Sequence, residues 1–144
     1  MKKIFFFTIT LASLFMVSCT KTTPTPPTVT NPNPIVGLWV GTYQINDAAY
    51  LGAFYYSFNL FSDSTFIQQG GGSNGAVWTG HGTWTLSADS VWTATLSNTD
   101  ISQGSFTQHI TAKYSSTAGT LSNGTWSYTS GGSQTGTFSL KRVK

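Results

Sequence analysis

The sequence predicts an all-β domain, an antiparallel β-barrel of about eight strands, with a β-sandwich as the alternative. In residues 36–144 apolar and polar residues alternate, as in Phe54, Tyr56, Phe58 and Leu60, which is the two-residue period of a strand. No window has the apolar period of about 3.6 residues that a helix requires. The region also contains no proline, and it is rich in Thr, Ser, Gly and aromatic residues, as strands and tight turns are.

Turn residues divide the alternating runs and set the order of the strands. They lie at Asn46-Asp47, Ser62-Asp63-Ser64, Ala88-Asp89-Ser90, Ala118-Gly119 and Gly131-Gly132. The intervening runs predict strands near 36–46, 52–62, 64–69, 76–87, 90–98, 105–115, 119–129 and 134–143.

A short motif favours closure of these strands into a barrel. A glycine stands two residues before an aromatic residue in Gly41-Thr42-Tyr43, Gly82-Thr83-Trp84, Gly124-Thr125-Trp126 and Gly136-Thr137-Phe138. The two residues share one face of a strand, where glycine lets the strand coil sharply or a neighbouring ring lie over bare backbone. Local sequence does not report closure, so the sandwich stays open as an alternative.

The N-terminal residues 1–18 have the pattern of a secretory signal peptide. Met1-Lys2-Lys3 precedes the apolar run 4–17, which is too short to span a bilayer comfortably. Met16-Val17-Ser18-Cys19 resembles the bacterial lipobox, although that motif prefers Leu at the position of Met16. The resemblance implies cleavage before Cys19, the one cysteine of the chain, and acylation of its sulfur. An ordinary cleaved signal followed by a free thiol is the alternative.

Residues 19–35 form a tether between this cysteine and the β domain. All five prolines of the chain lie between Thr20 and Ile35, and Thr/Pro-rich segments favour extended polyproline II. By resemblance to Gram-negative lipoproteins, the lack of Asp after Cys19 implies the outer membrane. We therefore expect a cell-envelope protein held by membrane lipid through Cys19, with residues 36–144 as its folded domain.

A second resemblance concerns the two ends of that domain. Gly37-Leu38-Trp39 matches the Gly-x-Trp signature of lipocalins, and Arg142 sits where their last-strand arginine would be. The likeness implies an eight-stranded up-and-down barrel in which the arginine packs over the tryptophan and closes one end. The chain is shorter than a lipocalin, and Thr99-Asp100-Ile101 is a poor substitute for the Thr-Asp-Tyr loop. It is most similar to the short lipocalin-like (calycin-type) domains of bacterial surface lipoproteins.

The residues needed for catalysis or metal binding are scarce. The four acidic residues (Asp47, Asp63, Asp89, Asp100) all lie in or beside turns, where aspartate usually caps backbone amides. His81 and His109 oppose the phase of their apolar neighbours and should face outward. From Cys19 onward five basic and four acidic residues leave a charge of +1, which is no nucleic-acid footprint. The sequence therefore predicts no enzyme, no metal, no cofactor and no nucleic-acid partner.

The aromatic residues are the remaining candidates for function. The inward phase contains Trp39, Tyr43, Phe54, Tyr56, Phe58, Phe66, Trp84, Trp92, Phe106, Tyr114, Trp126, Tyr128 and Phe138, which predicts a mostly filled interior with a shallow pocket at an open mouth. Tyr55, Phe61 and Trp78 fall outside this phase or beside the glycine-rich loop 70–75, and could form an exposed patch. The candidate ligand-binding residues are Trp39, Tyr43, Tyr55, Trp78, Trp84, Trp126 and Arg142.

Two functions stay open at this stage. One is a lipoprotein that binds a small hydrophobic or amphipathic ligand at the barrel mouth. The other is a surface module with a filled barrel that binds a protein or a glycan, as small inhibitor-like barrel lipoproteins do. Asp63-Ser64-Thr65 and Asp89-Ser90-Val91 also resemble bacterial O-glycosylation sites, but we favour ordinary Asp-Ser turns as their explanation.

Overall fold

The computed structural model describes residues 33–98 and 104–144, and these form one closed β-barrel. The signal peptide, Cys19, the tether up to residue 32 and Thr99-Asp100-Ile101 lie outside the described residues. The strands in chain order are β1 (Gly37–Ile45), β2 (Phe54–Leu60), β3 (Thr65–Gly71), β4 (Val77–Leu86), β5 (Val91–Asn98), β6 (Phe106–Ser115), β7 (Thr120–Ser130) and β8 (Thr135–Arg142).

The predicted up-and-down barrel is confirmed, and the sandwich alternative is wrong. Each strand pairs antiparallel with the next along the chain. β1 also pairs with β8, from Trp39 opposite Arg142 to Ile45 opposite Gly136, which closes the sheet on itself. The turn expected at Asn46-Asp47 is instead a 3₁₀ helix, Asn46–Leu51, because the β1–β2 connection is long enough to form its own short element.

The barrel has two unlike ends. At one end lie the turns after β2, β4 and β6 together with residues 33–36, and we call this the closed end. At the other end lie the connections that follow β1, β3 and β7, together with the last residues of β5 and the first of β6, and we call this the mouth. No helix among the described residues is long and apolar enough to cross a bilayer.

Large side chains fill the closed end. Trp39, Phe58 and Trp92 are fully buried, and the Phe58 and Trp92 rings stack with their centroids 5.2 Å apart. The Trp84 indole nitrogen donates to the Thr65 carbonyl at 2.9 Å. Ile35, which the sequence assigns to the tether, is also fully buried here.

The three closed-end turns share one backbone conformation. Each turn finishes on a residue with positive φ, namely 67° at Ser64, 61° at Ser90 and 62° at Gly119. This left-handed residue after a tight turn is typical of hairpins that must match the twist of their strands. The carbonyls of Ser64, Ser90 and Gly119 then accept from the backbone amides of Trp84, Tyr114 and Arg142 at 2.8, 2.8 and 2.9 Å.

The side chain of Asp63 supports the Asp-Ser turn interpretation. Its Oδ1 accepts from the Thr65 amide at 2.9 Å and from the Thr65 hydroxyl at 2.6 Å. These hydrogen bonds hold the pKa of the Asp63 carboxyl below its usual value, because they favour the charged form. Asp63 therefore caps its own turn, as turn aspartates commonly do.

The inward phase shifts near the start of β7. The β7–β8 register changes between Leu121 and Gly124, and Asn123 between them has a φ of 51°. An extra residue of this kind moves the following side chains to the other face. Leu121 and Trp126 both point into the barrel as a result.

The glycine of the repeated motif allows rings to lie on bare backbone, as predicted. A Cβ on Gly136 would come within 2.5 Å of the Trp126 indole, and one on Gly124 within 2.5 Å of the Phe138 ring. Neither ring could keep its place against an alanine, since real Cβ atoms do not approach so closely. The motif therefore sets the positions of inward rings on neighbouring strands.

The outer face carries an uncharged threonine row. Thr137, Thr125, Thr111, Thr93 and Thr85 occupy consecutive register positions on β8, β7, β6, β5 and β4. The hydroxyls of Thr111 and Thr125 are 2.9 Å apart. Cross-strand threonine pairs stabilise a sheet through such contacts.

Candidate ligand-binding site

A cavity of about 330 Å³ opens at the mouth of the barrel. Ligand pockets of proteins begin at about 300 Å³, so this one suits a compact small molecule. It is lined mainly by aromatic and uncharged polar side chains, from Tyr43, Ile45, Leu51, Phe54, Tyr56, Gly72, Ser73, Asn74, Ala76, Trp78, Phe106, Gln108, Trp126, Tyr128 and Gln134.

Tyr43 is the central side chain of the cavity wall. Its ring centroid lies 5.1 Å from that of Tyr56, 5.8 Å from that of Trp78 and 6.0 Å from that of Trp126. Its hydroxyl donates to the Gly71 carbonyl at 3.0 Å, which joins β1 to the end of β3. Aromatic pairs of this kind add to the free energy gained by burial, so the wall is held in a defined shape.

The structure corrects the expected outer position of Trp78. Trp78 shares the inward phase of Gly80 and Trp84 on β4, and its ring lies over Gly70, where a Cβ would be only 2.6 Å away. The Gln68 amide, oriented so that its oxygen accepts from the Gly70 amide at 3.0 Å, also accepts from the Trp78 indole nitrogen at 3.1 Å. Glycine beside the ring thus provides space inside the barrel, and the ring borders the cavity.

No charged side chain of the described residues lines the cavity. Burial raises the pKa of Tyr43 and of Tyr56, and repulsion from an ionised Tyr128 would raise both further. Burial also raises the pKa of Tyr128, with a smaller opposing contribution from its hydrogen bond to Gln108. The cavity wall is therefore neutral at physiological pH.

The candidate residues from the sequence divide between three places. Tyr43, Trp78 and Trp126 come together on the cavity wall. Trp39, Trp84 and Arg142 lie at the closed end, where strand register keeps them from the mouth. Tyr55 faces outward and is 47% exposed.

The remaining placements follow the sequence closely. Phe54 and Tyr128 point inward but are half-buried, because they border the cavity. The expectation of a filled interior with a pocket at the mouth is confirmed. His81 and His109 are exposed as predicted, whereas Phe61 is half-buried.

Sequence reasoning missed the polar part of the wall. Gln108 is in phase with Phe106 and Ile110 and is 7% exposed, and Gln68 is in phase with Phe66 and fully buried. A polar side chain at an inward position of a strand was the available signal. Nothing in the sequence pattern indicated Leu51 or the loop 72–76 as lining residues.

Elsewhere in the described residues, we find no site that suits a ligand or a metal ion as well as the mouth cavity suits a small molecule. A groove of about 560 Å³ lies on the outer face of β1, β7 and β8, but it is open to solvent and lined largely by Thr, Ser and Asn side chains. Within residues 33–98 and 104–144, no three His, Cys, Asp or Glu side chains gather in a group that could hold a metal ion.

Fold and site together define an eight-stranded up-and-down β-barrel with a filled closed end and an uncharged cavity at its mouth. No family model matches the chain, and no curated protein matches it. Among solved structures, the chain is similar to a redesigned β-barrel, mFAP1, bound to DFHBI. The likeness has a TM-score of 0.55 and 23% sequence identity, and covers 76% of this chain and 95% of that chain. It establishes the fold alone.

Proposed function

We propose that this protein is a non-enzymatic binding protein that holds a small hydrophobic or amphipathic molecule in the mouth of its barrel. The cavity of about 330 Å³ carries the proposal, because the closed end is filled with rings while the mouth is not. The redesigned barrel of similar fold was solved with DFHBI bound, which supports a barrel of this kind as a container for a small molecule.

The proposal includes an anchor at the outer membrane through acylated Cys19, as the lipobox resemblance implies. The residues that precede β1 lie at the closed end, where the Trp39 indole donates to the Ile35 carbonyl and the Arg142 guanidinium to the Val36 carbonyl, both at 2.8 Å. Attachment at that end would leave the mouth unobstructed. Two or more acyl chains would hold the protein stably, since each buried methylene contributes about 0.8 kcal/mol.

Ligand binding is tested by screening purified residues 20–144 against apolar small molecules, with thermal unfolding and tryptophan fluorescence as readouts. A ligand at a hundred times its dissociation constant adds about 2.7 kcal/mol to the free energy of unfolding. Trp78→Leu should weaken binding, because the ring borders the cavity, and Tyr55→Leu on the outer face is the matched control. No stabilisation by any small molecule would contradict the proposal.

Exposed apolar side chains favour a second candidate function. Tyr50, Leu51, Tyr55 and Val77 belong to elements at the mouth and are 86, 42, 47 and 65% exposed. Such side chains suit a protein or glycan surface, where tyrosine is enriched. If this module is the function, Tyr55→Leu should weaken capture of the partner and Trp78→Leu should have the smaller effect.

The anchor is tested separately. When the full-length chain is expressed in cells, Cys19→Ala should move the protein from the membrane fraction to the soluble fraction. Cys19→Ser is a closer match in size and should behave in the same way, since neither side chain can carry the thioether. Continued retention in the membrane would contradict lipidation without bearing on the cavity.

A further inference from the structure

The charged side chains of the described residues are unevenly distributed along the barrel. Asp63 and Asp89 lie in closed-end turns, and Lys113, Lys141, Arg142 and Lys144 lie on the strand ends or terminal residues at the same end. Asp47, in the 3₁₀ helix, is the one charged side chain of the described mouth elements. The described residues of the mouth therefore include no lysine or arginine, and the one charge among them is negative.

The described side chains of the cavity wall also include no charged group. Its polar groups are phenols, amides and hydroxyls, and none of its described side chains can act as a counter-ion. Burying a charge without a partner is very unfavourable, because the ion loses its hydration and gains no interaction that compensates for it. The raised pKa values of Tyr43 and Tyr56 are consistent with this, since the same surroundings disfavour their phenolates.

Hydrogen-bonding groups are nevertheless present beside the rings. Gln108 is nearly buried on β6 and lies directly opposite Tyr128 on the paired strand β7, and both side chains line the cavity. An amide has both donors and an acceptor, so it can bond a hydroxyl or carbonyl group of a ligand beside the Tyr128 hydroxyl. Phe106 packs edge-on against Tyr128 with centroids 4.9 Å apart, which places a ring next to this polar pair.

We infer that the cavity selects an uncharged, ring-containing molecule that carries a hydroxyl or carbonyl group, and that it rejects carboxylates such as fatty acids. The inference rests on the proposed function and narrows its ligand class. The rings contact the apolar part of the molecule, and the Gln108–Tyr128 pair bonds its polar group. The small volume favours a compact molecule over a long chain.

The test compares three probes that share one ring system and differ in charge: naphthylmethanol, naphthoate and naphthylmethylammonium. Binding to the purified domain is measured by titration calorimetry at neutral pH. Naphthylmethanol should bind, and naphthoate should bind at least about tenfold more weakly because its charge has no partner. Equal or tighter binding of naphthoate overturns the inference but leaves ligand binding intact. Tightest binding of the ammonium probe also overturns it and indicates a cation site built from ring faces.

A second, independent test introduces a charged side chain into the cavity by substitution. Gln108→Lys should reverse the preference toward naphthoate, because a lysine there supplies the absent counter-ion while its flexible stem can reach the mouth. Gln69→Lys adds the same charge at an exposed outward position of β3 and should leave the preference unchanged. If no probe binds to any of the three proteins, ligand binding at the mouth itself is contradicted. If Gln69→Lys shifts the preference as much as Gln108→Lys, general charge explains the selectivity and the inference fails.

Discussion

Arg142 lies directly opposite Trp39 in the β1–β8 register, and their side chains donate to the neighbouring carbonyls of Val36 and Ile35 at the same distance of 2.8 Å. The two donors thereby fix the residues that lead into β1. The Trp39 ring also packs edge-on against Tyr114, with centroids 6.0 Å apart. This pair lies at the closed end of the barrel, remote from the cavity.

Arg142→Met should destabilise the fold without affecting the cavity. The substitution keeps much of the apolar stem but removes a charge-assisted hydrogen bond, which is worth about 1.5–3 kcal/mol in the free energy of unfolding. Urea unfolding followed by tryptophan fluorescence measures the loss. Lys141→Met, at the exposed preceding residue, is the control and should change stability by less than about 0.5 kcal/mol. Equal effects of the two variants would contradict a specific role for Arg142.

Two substitutions at left-handed turn residues, Ser64→Gly and Gly119→Ser, should change the free energy of unfolding in opposite directions. Ser64→Gly should raise the free energy of unfolding by up to about 1 kcal/mol, because glycine adopts positive φ without the strain a Cβ causes. Gly119→Ser should lower it by about 1–2 kcal/mol for the same reason. A Cβ on Gly119 would lie 3.8 Å from the Arg142 Cβ, an ordinary contact, so backbone conformation alone distinguishes the two variants. Chemical denaturation of both proteins checks the signs, and changes in the same direction would contradict the argument.

The buried phenols predict a loss of stability in alkali. Burial raises the pKa of Tyr56 above the ordinary 10.0, so the folded state keeps a proton that the unfolded state releases. The free energy of unfolding is then independent of this group below pH 10.0 and falls as the pH rises further. Tyr56→Phe should flatten the fall, whereas Tyr50→Phe should not, because Tyr50 is 86% exposed. Denaturation across alkaline pH provides the measurement, and an equal slope in all three proteins would contradict it.

The strands could be predicted closely because their signals are local. The run predicted at 90–98 is observed as Val91–Asn98, and that predicted at 105–115 as Phe106–Ser115. Side-chain phase follows from the two-residue period, and the Asp-Ser and Ala-Gly turns fix where the chain reverses. Closure was indicated by the glycine motif but was established only by the pairing of β1 with β8.

A pocket at the mouth could be predicted, but its complete wall could not, because the wall depends on contacts across the barrel. Tyr43 on β1 meets Trp78 on β4, two strands that are not paired with each other. Whether such rings meet or leave space depends on strand register and on where glycine permits close approach. The shift at Asn123 has the same origin, since a bulge alters the phase without a clear local signal.

Gly136→Ala should disturb the cavity as well as the stability. Its Cβ would overlap the Gln44 carbonyl and come within 2.5 Å of the Trp126 indole, a wall residue of the cavity. Either the ring or β8 must move, and overpacking of this kind costs about 1–3 kcal/mol. Near-ultraviolet circular dichroism and tryptophan emission should both change, because the Trp126 ring changes its surroundings. Gly71→Ala is the matched control, since a Cβ there would lie 3.6 Å from the Tyr55 Cβ, an ordinary contact. A Gly136→Ala protein with unchanged tryptophan spectra and full stability would show that Trp126 is not held against bare backbone, and the cavity wall would then lack the rigidity on which ligand selection depends.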